Sequence, residues 1–147
     1  MPTTIEIAAR EAIDRALADA GWLVQAPDDV NLFSGRGVAV RDASLAGDQG
    51  RADYLLFVSG SAAGIVEVHA GAPSLEGVEP RSEQYAKGLP AGLPAHIRPL
   101  PFLYLATGTA IALTCLLDPA PRSRQVPGFL RPEQLQELLN GALGFRP

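Results

Sequence analysis

Apolar residues dominate two neighbouring stretches in the middle of the chain, Ala52–Val58 and Ala63–His69. Residues 59–61 between them read Ser-Gly-Ser and suit a tight turn, so the two stretches predict an antiparallel hairpin. Phe102–Thr107 is nearly all apolar, which is typical of a strand buried on both faces of a sheet. Thr109–Leu116 follows it closely and is predicted to be its hairpin partner.

Helical spacing is found near both ends of the sequence. Thr3 and Glu6 have the spacing of a capping box, and Gly21 suits a helix stop. The apolar residues between these points fall on one helical face: Ile5, Ala8, Ala9, Ala12, Ile13 and Leu17. Near the other end, Pro132 suits the first turn of a last helix. The predicted apolar stripe of that helix is Leu135, Leu138 and Leu139.

The segments between these elements are shorter or less regular. Trp22–Gln25 and Gly37–Arg41 read as short strands, and residues 47–50 read as a turn. Val78–Leu89 has helical spacing, and Leu89–Pro101 holds four prolines, which predicts a surface connection. The proline- and arginine-rich residues 118–128 suggest no regular element. Together the elements predict an α/β fold with a central mixed β-sheet flanked by helices.

The bulk composition agrees with a single domain over residues 1–147. Hydrophobic residues make up 47% of the chain and charged residues 19%, which is enough to build a core. No apolar run approaches the ~20 residues that span a bilayer, and Glu6 stands where a signal peptide would be basic. Cys115 is the only cysteine, which excludes an internal disulfide and a cysteine zinc cluster. We therefore expect a cytoplasmic protein without a membrane segment.

The net charge of −4 conceals an uneven distribution. Residues 1–80 hold five Arg and twelve Asp or Glu, a net of −7, whereas residues 81–147 hold six Arg, one Lys and four acids, a net of +3. An acidic half beside a basic half suits a site that binds both a metal and a phosphate, but it also arises by chance.

Two acids occupy unusual positions, because Asp53 and Glu67 both lie within apolar strands of the predicted hairpin. A charge there is costly unless it is paired or bound to a metal. Both carboxylates could reach one end of the sheet and hold a hard divalent cation. Alternatively, Asp53 caps a strand and Glu67 faces solvent. His69 lies two residues beyond Glu67, so it points to the same side of the sheet, as a ligand, a base or simply a surface residue.

These residues resemble the central hairpin of the PD-(D/E)xK nucleases, in the version found in the N-terminal domain of type I restriction enzyme R subunits. There the strand pair reads approximately G-x-A-D-Y-x-L, a spacer, and then G-x-x-E-A-K. Here the pair is Gly50–Val58 and Gly64–His69. The similarity continues, in order and spacing, through residues 31–41, 77–79, 85–90, 99–104, 107–108, 118–124 and 131–133.

The resemblance implies a restriction-endonuclease-like fold and a nuclease that cleaves DNA. Asp53 and Glu67 would hold the catalytic Mg²⁺ (or Mn²⁺), and residue 69 would orient the attacking water. The resemblance also implies DNA as a partner, together with the motor, specificity and methyltransferase subunits of a restriction–modification system. The chain itself has no Gly-x-x-x-x-Gly-Lys-[Ser/Thr] loop and therefore no ATP site.

The sequence also departs from the family pattern. The family has lysine where this chain has His69, and the one lysine of the chain is Lys87. Arg81 stands where the family has a glutamine four residues before Tyr85. A histidine usually precedes Arg-Pro-Glu, and here that residue is Leu130. Polar positions after Thr107-Gly108 have become apolar: Ala110, Ala112 and Leu113.

Basic residues near the predicted site are candidates for DNA contacts. Arg81, Tyr85 and Lys87 lie on the predicted middle helix, and Arg122 and Arg124 lie in the proline-rich connection. Phosphate contacts need only such a patch, without base-reading residues. The other interpretation is a solvated charged surface.

Three functions stay open from the sequence. The first is a Mg²⁺-dependent DNA endonuclease domain in which catalytic Asp53, Glu67 and His69 act together, with activity impaired by the histidine. The second is an inactive pseudo-nuclease that binds DNA or protein. The third is a remnant that folds and does nothing specific.

Overall fold

A mixed β-sheet, whose strands lie side by side in the order of the sequence, forms the centre of the molecule. The computed structural model describes residues 3–45, 51–71 and 88–143. Within these residues the sheet has seven strands, namely β1 (Leu23–Gln25), β2 (Gly37–Ser44), β3 (Arg51–Val58), β4 (Ser61–Val68), β5 (Phe102–Ala106), β6 (Ile111–Cys115) and β7 (Arg124–Val126). The pairs β1–β2 and β4–β5 are parallel, and the other neighbouring pairs are antiparallel.

Both described α-helices begin where the sequence indicated, and the first also ends there. Helix α1 (Thr4–Asp19) starts with Thr3 as its N-cap, whose Oγ1 accepts a hydrogen bond from the Glu6 amide at 3.1 Å. It stops before Gly21, which adopts a φ of +94°. Helix α2 (Pro132–Leu143) has the proline in its first turn. A short 3₁₀ helix (Pro27–Asp29) follows β1.

Buried side chains form a core cluster on each face of the sheet. The first cluster joins the sheet to both described helices through Ile13 and Leu17 of α1 and Leu135 and Leu139 of α2. The second cluster covers the opposite face and includes Leu89 and Leu100, with strand residues such as Val38, Leu55 and Ile65. All five residues of β5 are buried, which confirms the prediction from its apolar sequence.

The central hairpin has the predicted form. Strands β3 and β4 pair in antiparallel fashion, and Ser59 and Gly60 connect them with φ angles of +51° and +86°. Two consecutive positive φ angles are typical of the primed turns that match the twist of a hairpin. The turn is therefore tight, and together with the register shift between Leu56 and Phe57 it sets the pairing of the strand ends that carry the acids.

Some predictions were wrong in detail. The connection Leu89–Pro101 is not only a surface segment, because its ends Leu89 and Leu100 are buried in the second cluster. Strand β7 was not expected, because three residues among prolines are too few to show a period. Leu138 is 46% exposed and Ile5 61% exposed, since α2 packs through Leu135 and Leu139 and the buried residues of α1 are Ala9, Ile13 and Leu17.

Other predictions lie wholly or partly outside the described residues. These are the turn at residues 47–50 and the helix Val78–Leu89, of which only residues 88 and 89 are described. The single domain over residues 1–147 stays a prediction. Among the described helices, none has the length and apolar character needed to cross a membrane.

Gly64 provides a test of the packing between β4 and β5. A Cβ atom at Gly64 would lie 2.6 Å from the Phe102 carbonyl oxygen and 3.0 Å from its Cβ, both too close. Because the obstructing oxygen belongs to a paired strand backbone, Gly64→Ala should lower the free energy of unfolding by about 1–3 kcal/mol. Urea unfolding monitored by circular dichroism measures this loss.

Gly92→Ala is the matched control for this substitution. Within the part of the chain that the structure describes, no atom lies within 4 Å of a Cβ placed at Gly92, so the variant should unfold at the wild-type urea concentration. Equal stability of Gly64→Ala and Gly92→Ala would contradict the close approach of the two strands.

Candidate functional site

The predicted acids lie where the β3–β4 ladder ends. The last paired residues of this ladder are Tyr54 and Val66. Beyond them, Asp53 Oδ2 accepts a hydrogen bond from the Val68 amide at 2.7 Å. The carboxylate of Asp53 thus takes a backbone amide of the neighbouring strand as its partner. Sequence analysis placed Asp53 and Glu67 on the same hairpin, and the structure brings both to this end of it.

The regular alternation of side chains between the two faces of the sheet is interrupted near the aspartates of β2 and β3. Val38, Val40 and Ala43 of β2 lie in the second core cluster, so the alternation shifts by one residue near Asp42. Asp42 itself has a φ of +50°, a left-handed conformation that aspartate tolerates better than most residues. As a result the Asp42 carboxylate reaches toward α1, as that of Asp53 on the adjacent strand also does.

Arg10 of α1 joins these two carboxylates. Its Nη2 atom lies 2.9 Å from Asp42 Oδ1 and 2.8 Å from Asp53 Oδ1. Burial alone would lower the pKa of Arg10, but the hydrogen bond to Asp42 and the charges of Asp42 and Asp53 outweigh it and raise the pKa. The guanidinium is therefore a permanent positive charge between two negative ones.

Tyr54 contacts Arg10, and Asp14 contacts both Tyr54 and Arg41. The Arg10 guanidinium lies 5.3 Å from the centre of the Tyr54 ring. The Tyr54 hydroxyl donates to Asp14 Oδ1 at 2.5 Å, and Asp14 Oδ2 also pairs with Arg41 Nη2. Burial and the hydrogen bond to Asp14 raise the pKa of Tyr54 well above its ordinary value. Arg10, Asp14, Arg41 and Tyr54 therefore form one connected polar network.

Glu67 and His69 form a second pair beside the first. The Glu67 side chain is only 4% exposed, and its Oε2 atom contacts Nε2 of His69, whose side chain is 31% exposed. The His69 amide donates to the Ala106 carbonyl at 2.8 Å, which fixes the backbone of residue 69 against β5. The imidazole thus covers a nearly inaccessible carboxylate and is itself open to solvent.

The pKa of Asp53 depends on its burial and on four neighbouring groups. Burial is the largest influence on its pKa and raises it, the Val68 amide and the charge of Arg10 lower it, and the charges of Asp42 and Glu67 raise it. The net result is a raised pKa. The surroundings therefore oppose negative charge on Asp53 somewhat more than they favour it, and a further cation nearby would relieve this opposition.

A cleft of about 700 Å³ opens above these residues, between α1 and the ends of β2, β3 and β4. Its lining is rich in charge, with Glu6, Arg10, Glu11, Asp14, Arg41, Asp42, Asp53 and His69 among the lining residues. Five of these eight side chains are acidic and two are arginines. Such a lining attracts cations and repels a bare phosphate.

Asp53 and Glu67 are the residues that could hold a metal. In the ranges 3–45, 51–71 and 88–143, no group of three or more His, Cys, Asp or Glu side chains has the spacing of a metal site. Mg²⁺ often uses only one or two protein carboxylates and completes its shell with water and phosphate oxygens. The oxygen donors of Asp53 and Glu67 fit this mode of binding.

Comparison with solved structures identifies the architecture. The chain superposes on a fragment assigned to the HsdR subunit of a type I restriction enzyme from Vibrio vulnificus YJ016, with a TM-score of 0.69 and 20% sequence identity. The fold is the one found in that fragment. The match covers 99% of this chain and 27% of the other chain, so this chain spans about a quarter of that protein's length.

This likeness confirms the predicted restriction-endonuclease-like fold, with a mixed sheet flanked by helices. At 20% identity it shows the fold alone. No protein-family model matches the sequence, and no curated protein matches it.

The predicted DNA-contacting residues have different outcomes. Arg81, Tyr85 and Lys87 lie outside the described residues. Arg122 is exposed in the connection before β7. Arg124 pairs with Leu113 in a row of partners that crosses the sheet to Tyr54, so it belongs to the face that carries α1. Three strand spacings, roughly 14 Å, separate Arg124 from β4 in this row.

Sequence reasoning missed Arg10 and Asp42. A signal for Arg10 was present, because Glu6, Arg10 and Asp14 are spaced four residues apart and form a charged stripe along the first helix. Asp42 follows the apolar residues 38–40 of a predicted strand, much as Asp53 lies inside another. A rule that sought every charge inside or next to an apolar strand would have found Asp42.

Tyr54→Phe tests the polar network. The substitution removes the hydroxyl that donates to Asp14 and keeps the ring beside Arg10. Because a hydrogen bond to a charged group is lost, the free energy of unfolding at neutral pH should fall by about 1–3 kcal/mol. Chemical unfolding of the two proteins measures the difference, and unchanged stability would contradict the network.

The pH dependence gives a second measurement on the same pair of proteins. A tyrosine with a raised pKa contributes stability that is complete below pH 10, and that stability is lost as the pH rises through its folded-state pKa. Burial also raises the pKa of Tyr104, to about 12. Wild type should therefore lose stability above about pH 10, and Tyr54→Phe should lose less, keeping the shares due to Tyr104 and to Cys115, whose pKa burial also raises.

Proposed function

We propose that this chain is a Mg²⁺-dependent DNA endonuclease domain related to type I restriction R subunits, with hydrolysis weakened by His69. The observation that carries the proposal is the position of Asp53 and Glu67 at one end of the β3–β4 hairpin, beside an acidic cleft. The likeness of the fold to an HsdR fragment supports the choice of this nuclease class.

Asp53 and Glu67 would hold the cation in this proposal. A bound Mg²⁺ (or Mn²⁺) would supply polarisation of the scissile phosphodiester and a more acidic water. The raised pKa of Asp53 is consistent with a site that gains from added positive charge. Because the cleft lining is mostly acidic, DNA could approach it closely only when a cation offsets that charge.

His69 takes the position that lysine has in the related nucleases. Its imidazole contacts Glu67 and opens to the cleft, so it can orient a water or accept a proton. An uncharged imidazole stabilises the negative charge that builds on a phosphate less than an ammonium would. Weak hydrolysis is the expected consequence.

DNA is the proposed partner, and the cytoplasm is the proposed location. Arg122 and Arg124 are exposed and would contact the phosphate backbone without reading bases, and Arg81, Tyr85 and Lys87 are proposed for the same role. Sequence specificity and ATP-driven translocation would then come from other parts of a restriction–modification system.

A second function is favoured by a specific observation. Each candidate ligand already has a partner from this chain, since Arg10 pairs with Asp53 and His69 contacts Glu67. An acidic site satisfied in this way needs no metal to be stable. The chain would then be a pseudo-nuclease that binds DNA or protein without cleaving it.

Cleavage of supercoiled plasmid in Mg²⁺ and in Mn²⁺ separates the two functions. We expect slow nicking by wild type and none by Asp53→Ala. His69→Lys should be faster than wild type by about tenfold or more, because it restores a permanent charge beside the reacting phosphate. Asp19→Ala, an exposed acid at the end of α1, is the control and should nick at the wild-type rate. Circular dichroism of each variant checks that it is folded.

The remaining outcomes are also informative. Cleavage by no variant, together with DNA binding measured by fluorescence anisotropy, would favour the pseudo-nuclease. Nicking that persists in Asp53→Ala would mean that another site, or a contaminating nuclease, is responsible. If no variant cleaves or binds DNA, the nuclease and the DNA-binding form of the pseudo-nuclease are both excluded.

A further inference from the structure

Arg10 occupies the position in which a bound cation would be expected. Its Nη2 atom contacts Asp53 Oδ1 at 2.8 Å, and the other oxygen of the same carboxylate accepts from the Val68 amide at 2.7 Å. Both oxygens of Asp53 are therefore engaged. A metal that approached Asp53 Oδ1 would meet the guanidinium at the same atom.

The arginine is held in place by more than one interaction. It also pairs with Asp42 at 2.9 Å and lies over the Tyr54 ring at 5.3 Å. The Tyr54 hydroxyl lies 3.4 Å from the Arg10 carbonyl oxygen, which connects the helix backbone to the same ring. The Arg10 side chain is 29% exposed, so it is not a freely moving surface group. Most exposed ion pairs contribute little, but this one is partly buried and shared between two acids.

The positive charge of Arg10 offsets the repulsion between the acids around it. Asp42 and Glu67 both raise the pKa of Asp53, so the three acids feel one another's negative charge. Arg10 offsets that repulsion without any ligand. A divalent cation in the same place would be repelled by the guanidinium, because like charges a few ångströms apart interact strongly in a partly buried site.

We propose that Arg10 is an internal counter-cation that competes with divalent metal for Asp53, so that metal binds only when the guanidinium leaves. This inference rests on the proposed function, because it takes Asp53 as a metal ligand. Arg10 is a positioning residue that controls access to the carboxylate. Metal affinity is then lower than the two acids alone would give, and the fold stays stable without metal.

Calorimetric titration of Mn²⁺ tests the competition. Arg10→Gln should bind Mn²⁺ at least about tenfold more tightly than wild type, a change of roughly 1.4 kcal/mol. Arg15→Gln is the matched control, because it removes the same charge from an exposed position on the same helix. Its affinity should stay within about twofold of wild type, since exposed charges are screened by salt. The double variant Arg10→Gln/Asp53→Asn should lose the gain.

Thermal unfolding provides a readout that is independent of both cleavage and calorimetry. In EDTA, Arg10→Gln should melt at a lower temperature than wild type, because Asp42 and Asp53 have lost their counter-charge. Mn²⁺ should then raise the melting temperature of Arg10→Gln more than that of wild type. If Arg10→Gln is unfolded in EDTA, folding on addition of Mn²⁺ supports the inference, and failure to fold in Mn²⁺ counts against it.

The outcomes separate this inference from the proposed function. If wild type binds Mn²⁺ through Asp53 and Arg10→Gln binds no more tightly, Arg10 is not a competitor and the proposed function stands. If Arg10→Gln binds Mn²⁺ and wild type does not, the inference holds and wild type is not a metal-dependent nuclease on its own. If no variant binds Mn²⁺, both are overturned.

Discussion

Placing carboxylates at the end of an otherwise apolar hairpin is the constraint on which this part of the molecule depends. Glu67 is nearly inaccessible and Asp53 is partly buried, and removing such charges from water costs free energy unless they are compensated. The local structure supplies that compensation. Asp53 takes a backbone amide and a guanidinium, and Glu67 contacts an imidazole. The left-handed backbone at Asp42 and the docking of α1 through its apolar face place Arg10 within reach of these acids.

The scaffold was more predictable from the sequence than the site, for physical reasons. Strands β3, β4 and β5 show long apolar runs, and local signals such as the Thr3 cap act over a few residues. Such signals are readable without knowing the tertiary structure. Asp53 and Glu67 were also visible, because a charge in an apolar strand stands out. Arg10 was missed, because the charged stripe to which it belongs on the first helix does not show that it meets a strand more than forty residues away.

Tyr54 also shows why the site was harder to predict from the sequence than the scaffold. It lies in an apolar strand and is fully buried in the first cluster. Only the packing of α1 on the sheet reveals that its hydroxyl reaches Asp14 and that its ring lies under Arg10. A tyrosine carries an apolar ring and a polar end, and the sequence shows only that the ring can be buried. Strand β7 was missed for a different reason, since a three-residue edge strand owes its existence to its neighbour β6.

With histidine at residue 69, the permanent positive charge and the proton-exchanging group of this cleft come from different side chains. In a nuclease with lysine at this position, one ammonium provides both a positive charge and a hydrogen-bond donor to water. Here the positive charge next to Asp53 comes from Arg10, which does not give up its proton. A proton could instead be taken or returned by His69, whose imidazole contacts Glu67 and opens to solvent. In the metal-free cleft the permanent charge and the proton-exchanging group would thus belong to two side chains on different elements, α1 and the end of β4. Once metal displaces the guanidinium, as proposed, that charge no longer lies beside Asp53, and a lysine at residue 69 would then supply both the charge and the hydrogen-bond donor from one side chain.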